Sequence, residues 1–278
     1  MAGKLYLCAT PIGNLGDISL RCLEALKNAD IIAAEDTRRT LGLLNHFEIS
    51  KPLTSYHEHN KKEKGEYIIS LLKDGKNVAL VSDAGTVAIS DPGEDLVSLC
   101  IENSIDTVPI PGPVAAINAL IISGISTRRF AFEGFLSVNK RHRFEHLESL
   151  KNDTHTLIFY EAPHKLKTTL KDLYDVFGDR KIALVRELTK IHEEAIRTTL
   201  SDALLLYADA APRGEFVIVI EGASEAAKPE ENPLNALTVN EHVNRYISKG
   251  MMQKEAIKQV SLDRQVPKRD IYNEYHRV

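Results

Sequence analysis

The stretch from Val78 to Gly93 constrains the fold of this chain more than any other part of the sequence. Its first four residues, Val78 to Val81, form a short apolar run, which is typical of a buried parallel strand. Small residues follow at once, from Ser82 to Gly85, and they let a ligand approach the backbone. Ligands of open α/β sheets bind beyond the carboxyl ends of the strands. This stretch therefore predicts a binding loop, with an ordinary strand-to-helix turn as the alternative.

The first half of the chain repeats the same pattern of strand, loop and helix, which predicts a parallel sheet covered by helices. Three of the loops are rich in Gly and Pro and follow successive strands, so they converge on one edge of the sheet. The first loop does not match the dinucleotide fingerprint, because Gly13 and Gly16 are three residues apart and follow Pro11. The expected strands are Leu5–Ala9, Ile31–Ala34, Val78–Val81, Thr107–Ile110 and Phe130–Phe135, the last of this half.

The second half has strands at 156–161, 181–186 and 216–220 without another Gly-rich loop, which suggests a mixed α/β domain that covers the first. A polar, Pro-containing stretch follows, and Thr238 and Glu241 then form a capping box before three short helices. We expect an N-terminal α/β domain over 1–136 and a second α/β domain over 137–222. A linker over 223–237 then leads to a small helical domain over 238–278.

The charge of the chain limits its possible partners. With 35 Lys and Arg against 39 Asp and Glu, the formal net charge is −4 and offers no global attraction for nucleic acid. A nucleic-acid partner must therefore be held by local basic patches. No apolar run approaches the roughly 18 residues of a membrane span, and no signal peptide is recognisable. The three cysteines are odd in number and have no metal-ligand spacing. Together these features lead us to expect a cytoplasmic protein.

Two clusters of basic residues are candidate nucleic-acid contacts. The denser one interleaves Lys140, Arg141 and Arg143 with an aromatic residue and follows Arg128 and Arg129. The other lies on the C-terminal helices, which resemble a helix-turn-helix, and contains Lys254, Lys258, Lys268 and Arg269. A solvated helix start and a plain helical cap are the alternatives for these two clusters. A metal site is not expected, because no third ligand of clear spacing accompanies His57 and His59.

Eight motifs, in order along the chain, resemble the family of ribosomal RNA small-subunit methyltransferase I, within the tetrapyrrole methylase superfamily. They are Thr10-Pro-Ile-Gly-Asn-Leu-Gly-Asp17, Ala34-Glu-Asp-Thr-Arg38, Ser82-Asp-Ala-Gly-Thr86, Ile89-Ser-Asp-Pro-Gly93, Pro109-Ile-Pro-Gly-Pro113, Phe132-Glu-Gly-Phe-Leu136, Tyr160-Glu-Ala-Pro-His164 and Arg186-Glu-Leu-Thr-Lys190. The resemblance implies a two-domain α/β methyltransferase with a small C-terminal helical domain. It further implies a homodimer, with S-adenosyl-L-methionine (AdoMet) in the cleft between the two α/β domains.

The resemblance also implies 2′-O-methylation of a cytidine ribose in the decoding region of 16S ribosomal RNA, within the small ribosomal subunit. This sequence departs from the family where Val87 and Ser137 replace prolines, and we expect Val87 to loosen the cofactor loop. Two other functions stay open. One is C-methylation of a tetrapyrrole, which needs no RNA patch; the other is RNA binding without catalysis.

The resemblance and the strand-end loops together define candidate site residues. Cofactor contacts are expected at Pro11, Gly13, Ser82, Asp83, Ala84, Gly85, Thr86, Val87, Pro111, Gly112, Val114, Ala115, Tyr160 and Ala162. A ribose hydroxyl is a weak nucleophile, so a positioned base should speed its methylation by about 10²–10⁴-fold. The candidates for catalysis are Asp36, Glu161, His164, Glu187 and Lys190, and Arg38 is expected beside the RNA. An ion-pair network between the domains is the alternative for the polar cluster.

Overall fold

A computed structural model describes residues 2–224, 234, 237–264 and 266–276. The described chain separates into two compact units, residues 1–222 and residues 223–278. Most of the stretch predicted as a linker, 225–233 and 235–236, lies outside the described residues. Among the helices that are described, none is long and apolar enough to cross a bilayer.

The first sheet has five strands in the order β3-β2-β4-β1-β5, and every neighbouring pair is parallel. All four residues of the strand at Val78–Val81 are buried at its centre, as the apolar run predicts. Two helices cover one face of this sheet and two cover the other, as the strand–loop–helix pattern predicts. The elements are β1 (Leu5–Cys8), α1 (Leu20–Asn28), β2 (Ile31–Ala34), α2 (Thr37–His46), β3 (Leu53–Ser55), α3 (Lys61–Lys73), β4 (Val78–Val81), α4 (Gly93–Glu102) and β5 (Thr107–Ile110).

The second sheet is mixed and has the order β6-β7-β10-β8-β9. Only the β6–β7 pair is parallel; the other three pairs are antiparallel. The expectation of a parallel first sheet and a mixed second one is confirmed. The elements are α5 (Ala115–Ser123), β6 (Phe130–Phe135), α6 (Lys140–Leu150), β7 (Thr156–Glu161), α7 (Leu166–Phe177), β8 (Lys181–Arg186), β9 (Glu194–Thr199), α8 (Leu200–Leu206) and β10 (Phe216–Ile220).

The placement of Phe130–Phe135 in the first half is wrong, because β6 pairs with β7 in the second sheet. The preceding helix α5 also belongs to this side. Its buried residues Ala116, Ala119 and Leu120 pack with Ile158 of β7 in one core cluster. The predicted boundary at residue 136 is therefore too late. Apolar periodicity identifies a strand but does not say which sheet it joins, since that depends on long-range pairing.

The C-terminal unit contains the three short helices that the sequence predicts, α9 (Val239–Ser248), α10 (Gln253–Asp263) and α11 (Lys268–Tyr275). The predicted capping box is present, with Thr238 and Glu241 bonding each other's backbone N–H. Val243, Ile257 and Ile271 are buried in one small core contributed by all three helices. This unit thus has its own apolar core.

Candidate active site

A cavity of about 510 Å³ lies where strand ends of the two sheets face each other, within the usual size range of ligand pockets. Its walls come from the loops after β1, β2, β4 and β5 and from β7, β8 and β10. The lining residues are Ile12, Glu35, Arg39, Ser82, Asp83, Ala84, Gly85, Thr86, Ile89, Ser90, Asp91, Val114, Ala115, Phe135, Tyr160, Glu161, Ala162, Pro163, Val185, Glu187, Leu188, Lys190, Glu215, Phe216 and Val217.

Hydrogen bonds tie the three Gly- and Pro-containing loops of the first sheet together. The backbone N–H of Thr10 donates to Gly85 O at 2.9 Å, and Gly85 N–H donates back to Thr10 O at 3.0 Å. The hydroxyl of Thr86 then donates to Pro113 O at 3.0 Å. The loops after β1, β4 and β5 therefore form one connected wall, as their position on one sheet edge predicts.

Two glycines permit close contacts in this wall. Gly85 has φ +85°, a left-handed conformation that side chains disfavour, and an added Cβ would stand 3.2 Å from Ile12 Cγ2. At Gly13 an added Cβ would come within 2.5 Å of Lys190 Cγ, so only glycine lets this loop pack on the segment after β8. A larger side chain at Gly85 would therefore intrude on the backbone that lines the cavity.

Three carboxylates, Glu35, Asp83 and Asp91, make one wall of the cavity acidic beside Arg39. Asp83 accepts hydrogen bonds from Asp36 N–H at 3.0 Å and from Arg39 Nη1 at 3.2 Å. Asp91 accepts three backbone N–H bonds within its own loop. Burial of Glu35 and repulsion from Asp83 raise the pKa of the Glu35 carboxyl, and Asp91 adds to the effect. This wall presents negative charge to a cationic ligand.

Tyr160 connects the second sheet to the loop after β5. Its hydroxyl accepts a hydrogen bond from Ala116 N–H at 3.0 Å, in the first turn of α5. Its ring packs edge-on against Phe132 and Phe135, with centroids 4.9 Å and 5.5 Å away. Burial raises the pKa of the Tyr160 phenol. Tyr160 therefore fixes the distance between two walls of the cavity.

A cluster of Glu187, Lys190 and Glu215 forms the wall contributed by the second sheet. Lys190 Nζ lies 2.9 Å from Glu187 Oε1 and 3.2 Å from Glu215 Oε2. The hydrogen bonds from Lys190 and from Glu215 N–H lower the pKa of Glu187. Burial lowers the pKa of Lys190, but its bonds to Glu187 and Glu215 outweigh this and raise it overall. Glu187 and Thr189 have φ of 52° and 65°, a strained conformation that is often found at functional sites.

A second, smaller cavity of about 180 Å³ shares three lining residues with the large one, Arg39, Ser82 and Asp83. Its other walls come from the loop after β1 and from α2. The lining residues that belong to it alone are Thr10, Pro11, Gly13, Leu15, Thr40 and Leu43.

The structure brings most of the predicted cofactor and catalytic residues together at these two cavities. Those at the large cavity are Ser82, Asp83, Ala84, Gly85, Thr86, Val114, Ala115, Tyr160, Ala162, Glu161, Glu187 and Lys190. Pro11 and Gly13 line only the small cavity. Those that line neither cavity are Asp36, Val87, Pro111, Gly112 and His164.

Three of the predicted residues have structural roles instead. Asp36 is the N-cap of α2, where its side chain accepts from Arg38 N–H. Val87 is only 4% exposed, and its side chain packs into the core under the first sheet and lines neither cavity. Glu161 lies at the cavity, but its two carboxylate oxygens accept from Ala162 N–H at 2.8 Å and from the Thr169 hydroxyl at 2.5 Å.

Several residues of the large cavity were not predicted. Glu35 stands next to Asp36 in the charged stretch that the sequence analysis identified after β2. An Asp before Thr-Arg-Arg is a typical N-cap, so the sequence could have assigned Asp36 to the start of α2 and Glu35 to the cavity. Val185, Phe216 and Val217 belong to strands β8 and β10. No sequence motif identifies these three residues. The apolar sequence of a buried strand is the same whether or not the end of the strand lines a pocket.

The predicted basic patch before and within α6 is largely exposed, with one exception. Arg128, Arg129, Lys140 and Arg141 are exposed, although Arg141 also pairs with Glu145. Arg143 is half-buried, and its Nε lies 2.7 Å from Asp172 Oδ2 of α7. The expectation that Arg143 contacts RNA is therefore wrong, since its charge is already paired inside the protein. The predicted basic residues of the helical unit, Lys254, Lys258, Lys268 and Arg269, are all exposed. Arg38 is also exposed and lies 3.4 Å from Asp36.

Within the described ranges, no group of three or more His, Cys, Asp or Glu side chains is arranged to hold a metal ion. His57 and His59 pack edge-on with ring centroids 6.1 Å apart, and His57 Nε2 lies 3.2 Å from Asn60 Nδ2.

Comparisons with known proteins give consistent relatives. A family model described as Tetrapyrrole (Corrin/Porphyrin) Methylases matches residues 4–204. The protein named Ribosomal RNA small subunit methyltransferase I of Halalkalibacterium halodurans is 52% identical over 274 residues, covering 99% of this chain and 95% of that one. The protein of the same name from Bacillus subtilis is 51% identical over 275 residues, covering 99% and 94%.

Solved structures show the same fold at low sequence identity. A diphthine synthase superposes with a TM-score of 0.61 at 15% identity, covering 79% of this chain and 90% of its own. The uroporphyrin-III C-methyltransferase of Thermus thermophilus, complexed with S-adenosyl homocysteine, superposes with a TM-score of 0.57 at 14% identity. The match covers 78% of this chain and 97% of that one.

Proposed function

The chain belongs to the tetrapyrrole (corrin/porphyrin) methylase family, and on that premise we propose that it methylates the 2′-hydroxyl of a cytidine in 16S ribosomal RNA. It is a methyltransferase that uses AdoMet. The identity of about half the residues along nearly the whole chain with proteins named for small-subunit ribosomal RNA carries the choice of substrate. The decoding region, the intact small subunit and a cytoplasmic location are parts of the same proposal.

The residues of the large cavity fit AdoMet. The volume suits a ligand of that size, and the glycine at position 85 keeps the loop after β4 open to it. AdoMet supplies an activated methyl group on a cationic sulfur. The carboxylates of Glu35, Asp83 and Asp91 favour such a cation, and the apolar side chains of Ile12 and Val114 contribute shape.

The protein must therefore mainly hold donor and acceptor in line, which can contribute about 7–11 kcal/mol to lowering the barrier. The hydrogen bonds between the loops and the contact of Tyr160 with α5 make the walls that perform this positioning rigid. Lys190, held by two carboxylates, fixes the segment after β8 against the loop at Gly13.

Glu35 is the carboxylate best suited to take the proton of the ribose hydroxyl. Asp83 and Asp91 are occupied by hydrogen bonds, Glu161 is bonded to Thr169, and Glu187 is paired with Lys190. The raised pKa of Glu35 makes it a stronger base than an ordinary carboxylate. We infer that Glu35 is the base, and that Glu187 and Lys190 position the cavity wall.

The exposed basic residues provide the RNA contacts in this proposal. Phosphates attract Arg128, Arg129, Lys140 and Arg141, and the C-terminal unit offers a second set of exposed cations. The homodimer implied by the family resemblance also belongs to the proposal. Exposed apolar side chains on α5, Ile121 above all, support a contact of that kind.

The test is transfer of tritium from labelled AdoMet to small ribosomal subunits purified from a strain that lacks this methylase. Digestion of the RNA to nucleosides should place the label in 2′-O-methylcytidine. Label in a methylated base, or transfer to a tetrapyrrole instead of RNA, would overturn the proposed substrate. Binding of subunits without any transfer would support an RNA-binding protein that lacks catalysis.

A further inference from the structure

We propose that the small cavity beside the cofactor cavity receives the pyrimidine base of the target nucleotide. The inference rests on the proposed function. It states that the small cavity recognises the base of the nucleotide whose ribose is methylated. Pro11 and Gly13, expected from the sequence to contact the cofactor, line this cavity and not the large one.

The small cavity adjoins the large one. Arg39, Ser82 and Asp83 line both of them. A methyl donor and its acceptor react when the two atoms approach to about 3–3.5 Å. The acceptor nucleotide must therefore bind immediately beside the cofactor cavity. The small cavity has this position, because the same three residues line both cavities.

The size of the small cavity limits what can enter it. At about 180 Å³ it has roughly a third of the volume of the large cavity, enough for one flat heterocycle but not for a tetrapyrrole macrocycle. Enzymes that modify a nucleobase take the nucleotide out of its stack and hold the base in a pocket of its own. RNA-binding proteins recognise such bases by packing on their faces and by hydrogen bonds to their edges.

The chemistry of the walls matches a pyrimidine with an amino group. Leu15, 41% exposed in the turn after β1, and the half-buried Leu43 of α2 supply apolar surface for the faces of a ring. Each oxygen of the Asp83 carboxylate accepts one hydrogen bond, from Asp36 N–H or from Arg39, and has a second lone pair that can accept from an exocyclic amino group, as Asp does for the N4 of cytosine. A uracil would place a carbonyl oxygen against this carboxylate. The Arg39 side chain is 69% exposed, and its guanidinium offers a contact for a flanking phosphate.

A variant that fills the small cavity tests the inference. Leu43 lines this cavity alone, so Leu43→Trp should occupy it and leave the cofactor cavity intact. The matched control is Leu41→Trp, two residues earlier on α2, where the side chain is 49% exposed and lines neither cavity. AdoMet affinity is measured for each variant by calorimetry, and the full-length protein is used throughout.

The substrates are small subunits reconstituted with semi-synthetic RNA that carries at the target position either cytidine or a ribose without a base. We expect Leu43→Trp to bind AdoMet normally and to methylate the cytidine RNA at least about tenfold more slowly than the wild type, because the base can no longer pack. On the RNA without a base, the two enzymes should have equal single-turnover rates. Leu41→Trp should match the wild type on both substrates.

Other results would overturn the inference. An equal loss of rate on both RNAs would place something other than the base in the small cavity. Weaker AdoMet binding by Leu43→Trp would make that cavity part of the cofactor site, and full activity would show that the base binds elsewhere. If the wild type methylates neither RNA, the proposed function itself fails and the inference fails with it.

Discussion

At the scale of single residues, two carboxylates on opposite walls of the large cavity differ in what their charge does to the fold. Burial and the neighbouring Asp83 raise the pKa of Glu35, whereas hydrogen bonds from Lys190 and Glu215 lower that of Glu187. The ionised form of Glu35 is thus disfavoured by folding, and the ionised form of Glu187 is favoured by it. Glu35 is thus a group whose ionisation opposes folding, and such groups are typical of active sites.

The two glutamines that replace these residues should therefore have opposite effects. For Glu35, stability is greatest below the ordinary value of about 4.5 and falls as pH rises through the raised pKa, so Glu35→Gln should raise the melting temperature at pH 7. For Glu187, stability is present above about 4.5 and is lost as pH falls through the lowered pKa, so Glu187→Gln should lower the melting temperature at pH 7. Thermal melts at pH 7 and at pH values near 4 measure both effects.

Single-turnover rates of the same two variants separate catalysis from positioning. Measured at saturating AdoMet, so that any weaker binding does not count, Glu35→Gln should reduce methyl transfer by about 10²-fold or more. At saturating AdoMet, Glu187→Gln should stay within about tenfold of the wild type, since its carboxylate serves an ion pair. Full activity of Glu35→Gln would contradict the assignment of Glu35 as the base. A large loss of rate in Glu187→Gln alone would instead identify Glu187 as the base.

At the scale of structural elements, the turn after Thr86 explains why proline suits the position of Val87. Ala88 has φ 66°, whereas Val87 is not among the residues of positive φ. A turn with a left-handed third residue commonly has Pro as its second. Val87→Pro should raise the free energy of unfolding by about 0.4–1 kcal/mol, because it restricts the unfolded chain. A denaturant titration measures this change, and destabilisation would show that the turn needs the valine.

Arg143, which the sequence analysis assigned to RNA binding, forms an ion pair between α6 and α7, and we expect this pair to stabilise the fold. Arg143 and Asp172 are both largely buried, with side chains 14% and 9% exposed. Removing only the cation in Arg143→Met leaves a buried carboxylate alone and should cost about 3–5 kcal/mol of stability. The double variant with Asp172→Leu should recover much of the loss. Equal stability of Arg143→Met and the wild type would contradict the structural role of Arg143.

Particular elements also show how far the sequence predicts this fold. The strands β2 and β4 and the loops after them could be predicted from the sequence, because short apolar runs and turn residues are local signals. The sheet that β6 joins could not, since it depends on pairing with β7 across the chain. Short β3 and the half-exposed β9 were missed because neither forms a clear apolar or alternating run. Glu35 and Asp36 are adjacent and both acidic, and the only signal in the sequence that separates them is the N-cap preference of Asp36 before Thr37.

At the scale of the whole molecule, the proposed binding of RNA must come from local patches, because the formal net charge is −4. Replacing Arg128, Arg129, Lys140 and Arg141 together by Gln should weaken binding to small subunits. The slope of log affinity against log salt concentration should fall by about one for each phosphate that the protein no longer neutralises. AdoMet affinity should not change. The control is Lys27→Gln with Lys73→Gln, which removes exposed charges from helices of the first sheet. A salt dependence equal to that of the wild type would remove this patch from the proposal.

We propose that the large cavity holds AdoMet against the loop at Gly85, and calorimetric titration of the protein with AdoMet measures this binding. The wild type should bind one AdoMet per chain. Gly85→Val should lose this binding, because a branched side chain at φ +85° is strained and would push the loop into the cavity. Gly42→Val, on an exposed face of α2 with no neighbour within 4 Å of its added Cβ, should bind as the wild type does. Unchanged affinity in a folded Gly85→Val protein would show that AdoMet binds elsewhere.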